Sequence, residues 1–96
     1  MPSALWIAHV NVLDAEKLAA YATAATPVIA SFGGAFLARG GKYEQLEGED
    51  HTRNVVARFP SLQAAHDCYY SEGYQAAIAL GQGGFKRSLM IVEEVE

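Results

Sequence analysis

Gly33-Gly34-Ala35-Phe36-Leu37-Ala38-Arg39-Gly40-Gly41 is the stretch whose reading decides the fold. A short apolar run ends in a single cation and carries a glycine pair on each side. Glycine reaches positive φ without steric cost, so the two pairs mark two sharp changes of chain direction. The residues between them, 35 to 39, are expected to form one buried strand with Arg39 at its end. A strand and a helix lead into this point, and the same kind of unit follows it.

Upstream, residues 4 to 12 (Ala-Leu-Trp-Ile-Ala-His-Val-Asn-Val) are rich in branched and aromatic side chains and read as a strand. One face holds Leu5, Ile7, His9 and Asn11, and the other holds Trp6, Ala8, Val10 and Val12. A strand apolar on both faces is expected to be covered on both. Asp14 is a good N-cap, and Glu16 suits the positive end of the helix dipole. Leu18, Tyr21, Ala22, Ala25, Val28, Ile29 and Phe32 then recur at helical spacing. Pro27 should kink this helix in its last turns, and Gly33 should stop it.

Downstream, residues 40 to 52 are polar, and residues 53 to 59 (Arg-Asn-Val-Val-Ala-Arg-Phe) read as a third strand. Pro60-Ser61 ends it, with Ser61 capping a second helix lined by Leu62, Ala65, Cys68 and Tyr69. Ser71 caps a further short helix over residues 72 to 80. The last strand is expected at Ser88 to Glu93. Strand, helix, strand, strand, helix, strand is the ferredoxin-like split β-α-β order, an α+β fold with a four-stranded antiparallel sheet and both helices on one face. The whole of residues 1–96 is expected to be a single domain.

Composition narrows the function. Apolar residues make up 51% of the chain and charged ones 19%, as in a globular domain. The net charge of −4 and scattered basic residues argue against a nucleic-acid partner. One cysteine, Cys68, leaves no internal disulfide and fits a reducing compartment. No apolar run approaches the roughly 20 residues of a membrane span, and the first residues lack signal-peptide character. A cytoplasmic protein with neither membrane nor nucleic-acid partner is the expectation. Two helices cover only one sheet face, so the other would be a large apolar patch. Packing two such sheets about a two-fold axis hides it, and a homodimer is expected.

Four motifs resemble domain-of-unknown-function family 1330, of the dimeric α+β barrel superfamily. They are the glycine-bracketed strand at 33–41, Leu46-Glu47-Gly48, Arg53-Asn54-Val55-Val56 leading to Phe59-Pro60-Ser61, and Tyr69-Tyr70-Ser71-Glu72-Gly73-Tyr74-Gln75. The resemblance covers almost the whole chain and implies a dimeric α+β barrel. It implies no established activity. Two departures stand out: Arg58 occupies the position of an acidic residue usual before Phe-Pro-Ser, and an arginine usual after the Tyr-Gln helix is replaced near Gly81.

Candidate chemistry is sparse. Arg39 offers a planar fork for a carboxylate or phosphate, or else a salt bridge to Glu93 or Glu47 that fixes the strand end. His9 suits a proton shuttle near neutral pH, with Asn11 two residues on, or else a hydrogen-bonded interface position. His9 and Arg39 are therefore the catalytic candidates. Both fall on odd positions of their strands, opposite Trp6, Phe36 and Val10, and register decides whether the two odd faces coincide. Trp6, Tyr69 and Tyr74 are candidates, with Asn11, for the wall of a ligand pocket, or else core packing. The histidines and Cys68 lack metal-ligand spacing, and Gly81-Gln82-Gly83-Gly84 lacks the lysine of a phosphate loop, so neither metal nor cofactor is expected. Three functions stay open: a cofactor-free enzyme acting on a small anionic or aromatic metabolite, a non-catalytic small-ligand binder, and a structural dimer.

Overall fold

A computed structural model describes residues 2–95. The elements run β1 (Ala4–Val12), α1 (Ala15–Ser31), β2 (Ala35–Arg39), β3 (Arg53–Phe59), α2 (Leu62–Tyr70), α3 (Glu72–Leu80) and β4 (Phe85–Glu93). The four strands make one sheet in the order β2-β3-β1-β4, with every neighbouring pair antiparallel. This is the ferredoxin-like order expected, with the second helix divided in two. No helix among the described residues is long and apolar enough to cross a membrane.

Local chemistry sets the ends of the helices. The Asp14 side chain accepts from the backbone N–H groups of Glu16 and Lys17 at 3.0 and 3.3 Å, satisfying two donors of the first turn of α1. α1 runs through Pro27 as far as Ser31. Gly33 then adopts φ +82°, its N–H donating to the Ala30 carbonyl at 3.0 Å while that of Gly34 donates to Ile29 at 2.9 Å. These two bonds close a Schellman motif and aim the chain into β2. Ser61 Oγ accepts from Ala64 N–H to start α2. Ser71 both ends α2 and starts α3, donating to the Cys68 carbonyl and accepting from Tyr74 N–H.

The alternation in β1 separates two faces. Ala4, Trp6, Ala8 and Val10 are buried beneath the helices, while Leu5, Ile7 and Asn11 are half-buried and His9 is exposed. Register extends the separation across the sheet. Trp6 lies opposite Ala57 and Ile91 in the helix-side layer, and Ile7 lies opposite Val56 and Met90 in the open layer. The core centres on Trp6, Phe59, Cys68 and Tyr74 with Ala25, Ile29, Ala57, Ala65 and Ala77. Leu5, Ile7, Val56, Met90 and Val92 form the uncovered apolar face, on which Met90 keeps 50% of its surface exposed.

Two expectations need correction. β4 begins at Phe85, three residues before Ser88, because Phe85, Lys86 and Arg87 pair with Val12, Asn11 and Val10 at the far end of β1. The Lys-Arg pair looks loop-like locally, but a long central strand supplies partners for it. β2 is not buried: only Phe36 is half-covered, and Leu37 is 49% exposed. It is an edge strand with a single neighbour, and its register shifts between Phe36 and Ala38.

The turn into β2 is closely packed. A Cβ placed at Gly34 would come within 2.6 Å of Ile29 Cγ2 and 2.9 Å of the Ile29 carbonyl oxygen. Gly34→Ala is therefore expected to cost about 1–3 kcal/mol, the usual scale of overpacking, as measured by urea unfolding. A variant as stable as the parent would show that the turn is loosely packed.

Candidate functional site

α1 stands off the sheet, and small residues are the reason. Ala22 and Ala25 on the helix face Ala8 on β1, and none of the three is long enough to close the gap. A cleft of about 60 Å³ remains between helix and sheet. Trp6, Val10, Leu18, Ile29, Phe36, Phe85 and Leu89 give it apolar and aromatic walls, and Tyr21 adds a hydroxyl. Its charged lining residues are Arg39, Arg53 and Arg87, and no carboxylate among the described residues faces it. None of the three arginines has a carboxylate within ion-pair distance among the described residues.

The sheet explains how arginines far apart in sequence converge. Arg53 and Arg87 both lie opposite Val10, one on each side of β1. Arg39 lies opposite Val55, and its guanidinium carbon sits 4.4 Å over the centroid of the Phe36 ring. An ideal strand would send residues 36 and 39 to opposite faces. The bulge at Leu37 adds one residue and puts them on the same side. Arg39 makes no salt bridge to Glu93 or Glu47; the strand-end ion pair is formed by Arg58 and Glu94, at 2.6 and 3.0 Å. Arg58, at the position where the family usually has an acid, thus holds the tail beyond β4, and its partner's carboxyl is held below the ordinary carboxylate range.

Arg87 forms the inner end of the cleft. Its Nη1 donates to Tyr21 Oη at 3.1 Å and its Nη2 to Tyr74 Oη at 3.0 Å, and the two hydroxyls also bond to each other. The guanidinium carbon lies 5.0 Å from the Phe85 ring centroid and 5.3 Å from that of Tyr21. Burial works against the charge on Arg87, and the phenol oxygens more than offset it. Burial also drives the Tyr74 phenol far above its ordinary range, so that hydroxyl stays neutral. The cluster as a whole keeps one positive charge.

Six residues were singled out by sequence as site candidates, and the structure divides them. Arg39 and Trp6 line the cleft; Trp6 is also core, its indole N–H donating to the Ala65 carbonyl at 3.1 Å. Tyr74 lies directly behind the wall, bonded to Tyr21 and Arg87. Tyr69 packs on Trp6 and Tyr74, with ring centroids 6.3 and 5.6 Å apart, and does not line the cleft. His9 and Asn11 lie on the opposite, open face of the sheet. There His9 Nδ1 meets Asn54 Oδ1 at 2.7 Å, and the ring stacks on His51 at 5.5 Å. His9 and Arg39 therefore do not share a face. The odd-position argument fails because the bulge reverses parity in β2.

Tyr21, Arg53 and Arg87 are the cleft residues that sequence reasoning missed. Tyr21 was legible only as part of the apolar stripe of α1. Arg87 was hidden by the late start given to β4. Gly81 also has a visible role, since a Cβ there would lie 2.7 Å from Phe85 Cε1 and 2.8 Å from Tyr21 Cβ. A larger residue at this position would displace the tyrosine that the cleft uses.

An open antiparallel sheet with helices on one face, and a cleft between them, places the chain among ferredoxin-like α+β proteins. The chain belongs to the family described as a domain of unknown function (DUF1330), whose model matches residues 3–95. A crystal structure of a protein of unknown function from Rhodopseudomonas palustris superposes with a TM-score of 0.82 at 20% identity, covering 99% of this chain and 84% of that one. SnoaB, a cofactor-independent oxygenase from Streptomyces nogalater, gives 0.70 at 11% identity, covering 100% and 96%. A dimeric ferredoxin-like protein of unknown function from Thermobifida fusca gives 0.64 at 17% identity, covering 97% and 92%. At such identities the likeness establishes the fold alone. No curated protein matches the chain.

Cys68 is fully buried, and burial raises its thiol from 9.0 to about 11. The folded state therefore holds this proton more tightly than the unfolded chain does. Its contribution is full below pH 9.0 and falls away as pH rises toward 11. A disulfide reagent at pH 8 should leave native Cys68 unmodified and titrate it fully in denaturant. Rapid labelling of the folded protein would contradict this burial.

Proposed function

We propose that the protein is a homodimer of single α+β barrel domains, each subunit taking a small anionic aromatic metabolite into the cleft between α1 and the sheet. The observation that carries this reading is the set of three arginines without carboxylate partners on apolar and aromatic walls. An arginine is always charged, and its five donors seek an acceptor. Three of them around one cleft in a chain of net charge −4 favour an anion as the missing partner. Arg39 and Arg53, nearer the mouth, are suited to a carboxylate; the rings of Trp6, Phe36 and Phe85 are suited to a planar body.

Within this reading the protein is an enzyme that needs no resident cofactor. The shared fold with a cofactor-independent oxygenase is an analogy of fold and supports no more than that class. A non-catalytic binder would use the same cleft and the same arginines. A purely structural dimer would leave those three charges without a purpose.

The dimer reading rests on the open face of Leu5, Ile7, Val56, Met90 and Val92, and on the dimeric state named for the Thermobifida fusca relative. Covering such a face should bury on the order of 800 Å² per subunit. His9, Asn11 and His51 lie toward one end of this face and would then be interface residues instead of catalytic ones. The reading places the protein in the cytoplasm.

Two measurements test this reading. Light scattering at micromolar concentration should return about twice 10.3 kDa, and a monomer would remove the dimer. A thermal-shift screen of aromatic carboxylates should yield ligands whose affinity falls at least tenfold in Arg39→Ala, since a hydrogen bond to a charged group is worth about 1.5–3 kcal/mol. Arg39→Lys should restore little of it, because a point charge does not replace a planar fork. Turnover of a hit separates enzyme from binder. Equal affinity in parent and both variants would reduce Arg39 to a surface cation resting on Phe36.

A further inference from the structure

The hydroxyl protons at the inner end of the cleft do not all have partners, and the surplus points to one atom. Arg87 only donates, and it gives one N–H to each phenol oxygen. Tyr21 and Tyr74 together carry two hydroxyl protons. The bond between the two oxygens uses one of them. The other must leave the cluster.

It can leave from Tyr74 or from Tyr21, and burial decides between them. Tyr74 is fully buried and, among the described residues, makes no hydrogen bond through its hydroxyl beyond this cluster. An orphaned proton there would cost about 1–3 kcal/mol. Tyr21 is half-buried and lines the cleft. So Tyr74 donates to Tyr21, and the Tyr21 O–H points into the cleft.

We propose that this hydroxyl binds an ionised ring oxygen, a phenolate or enolate, of the ligand. The inference rests on the cleft being the ligand site and specifies what its inner end recognises. A carboxylate would want a fork, but Arg87 gives one N–H from each Nη to the two tyrosines, so its end-on fork is already taken. The Tyr21 hydroxyl offers a single O–H donor, polarised by a guanidinium that no carboxylate among the described residues neutralises. A single donor in an apolar surrounding matches one oxygen on a planar ring. Phe85, Leu18 and Val10 keep the local dielectric low, which strengthens the attraction between that oxygen and the cluster's charge. Binding therefore favours loss of the ligand's hydroxyl proton to solvent. Only that O–H bond breaks, and Tyr21 keeps its own proton.

The test uses 4-nitrophenol, whose ionised form is read by its visible absorbance, with 4-nitroanisole as a matched probe that cannot ionise. Bound to the parent protein, 4-nitrophenol should ionise about one pH unit or more below its free value, a tenfold change in the ratio of phenolate to phenol. Tyr21→Phe should abolish the shift while 4-nitroanisole binds as before. Tyr74→Phe should lower the melting temperature yet keep most of the shift, because Tyr21 still accepts from Arg87 and still donates into the cleft. An unshifted probe on the parent, or an equal shift in Tyr21→Phe, overturns the assignment while leaving the cleft as a binding site. If 4-nitrophenol, 4-nitroanisole and 4-nitrobenzoate all fail to bind the parent, the cleft reading falls, and this assignment with it.

Discussion

The contact between Trp6 and the α2–α3 helix pair holds the architecture in place. Trp6 is 5% exposed on the central strand, and its indole N–H reaches the carbonyl of Ala65 in the middle of α2. Its ring meets Phe59 and Tyr74, each with centroids 4.9 Å away. A buried tryptophan offers large apolar area and one donor that must be satisfied. The Ala65 carbonyl satisfies it only if α2 lies in this one position. Ser71 then turns the chain from α2 into α3, so Tyr74 enters the core at a fixed height. From there its hydroxyl meets Arg87 on β4 and Tyr21 on α1. A packing requirement in the core thus sets the position of the polar cluster at the cleft.

The cleft itself comes from small residues. Ala8, Ala22 and Ala25 could have been larger, and the helix would then have sealed against the sheet. Leaving them as alanine gives up apolar burial worth about 25 cal/mol for each Å² not covered. The half-buried Arg87 adds a further unfavourable term, because burial works against its charge. Neither feature helps a protein whose task ends with folding. Natural chains break packing rules mainly where a site is needed, and the coincidence of the two features supports the proposal that the cleft is one.

The second sheet face shows how a shared fold separates two tasks. The helix-side layer carries the core and the cleft, and the open layer carries an apolar surface with His9, His51 and Asn54 toward one end. Alternation along β1 makes this possible, since neighbouring residues serve different surfaces. His51 Nδ1 is buried and makes no hydrogen bond, which fits a face completed by something besides this chain.

Much of the fold was legible because it depends on local chemistry. Asp14, Ser61 and Ser71 are capping residues whose side chains can reach a free backbone N–H only at a helix start. The glycine pair at 33–34 can end a helix in a Schellman turn, and the alternation of β1 requires two faces. Such signals act within a few residues, so they survive in a linear sequence. The site was not legible in this way. Arg53 and Arg87 become neighbours only through their shared register with Val10, and that pairing spans 34 residues of chain. The face taken by Arg39 depends on a bulge at Leu37 that no local residue announces, and a one-residue change of register sends a side chain to the other side of the sheet. The order of strands and helices and the helix caps were thus determined by the sequence alone. The start of β4, by contrast, needed the far end of β1 as its partner. Which polar groups meet was decided by tertiary pairing, because register is an agreement between distant strands.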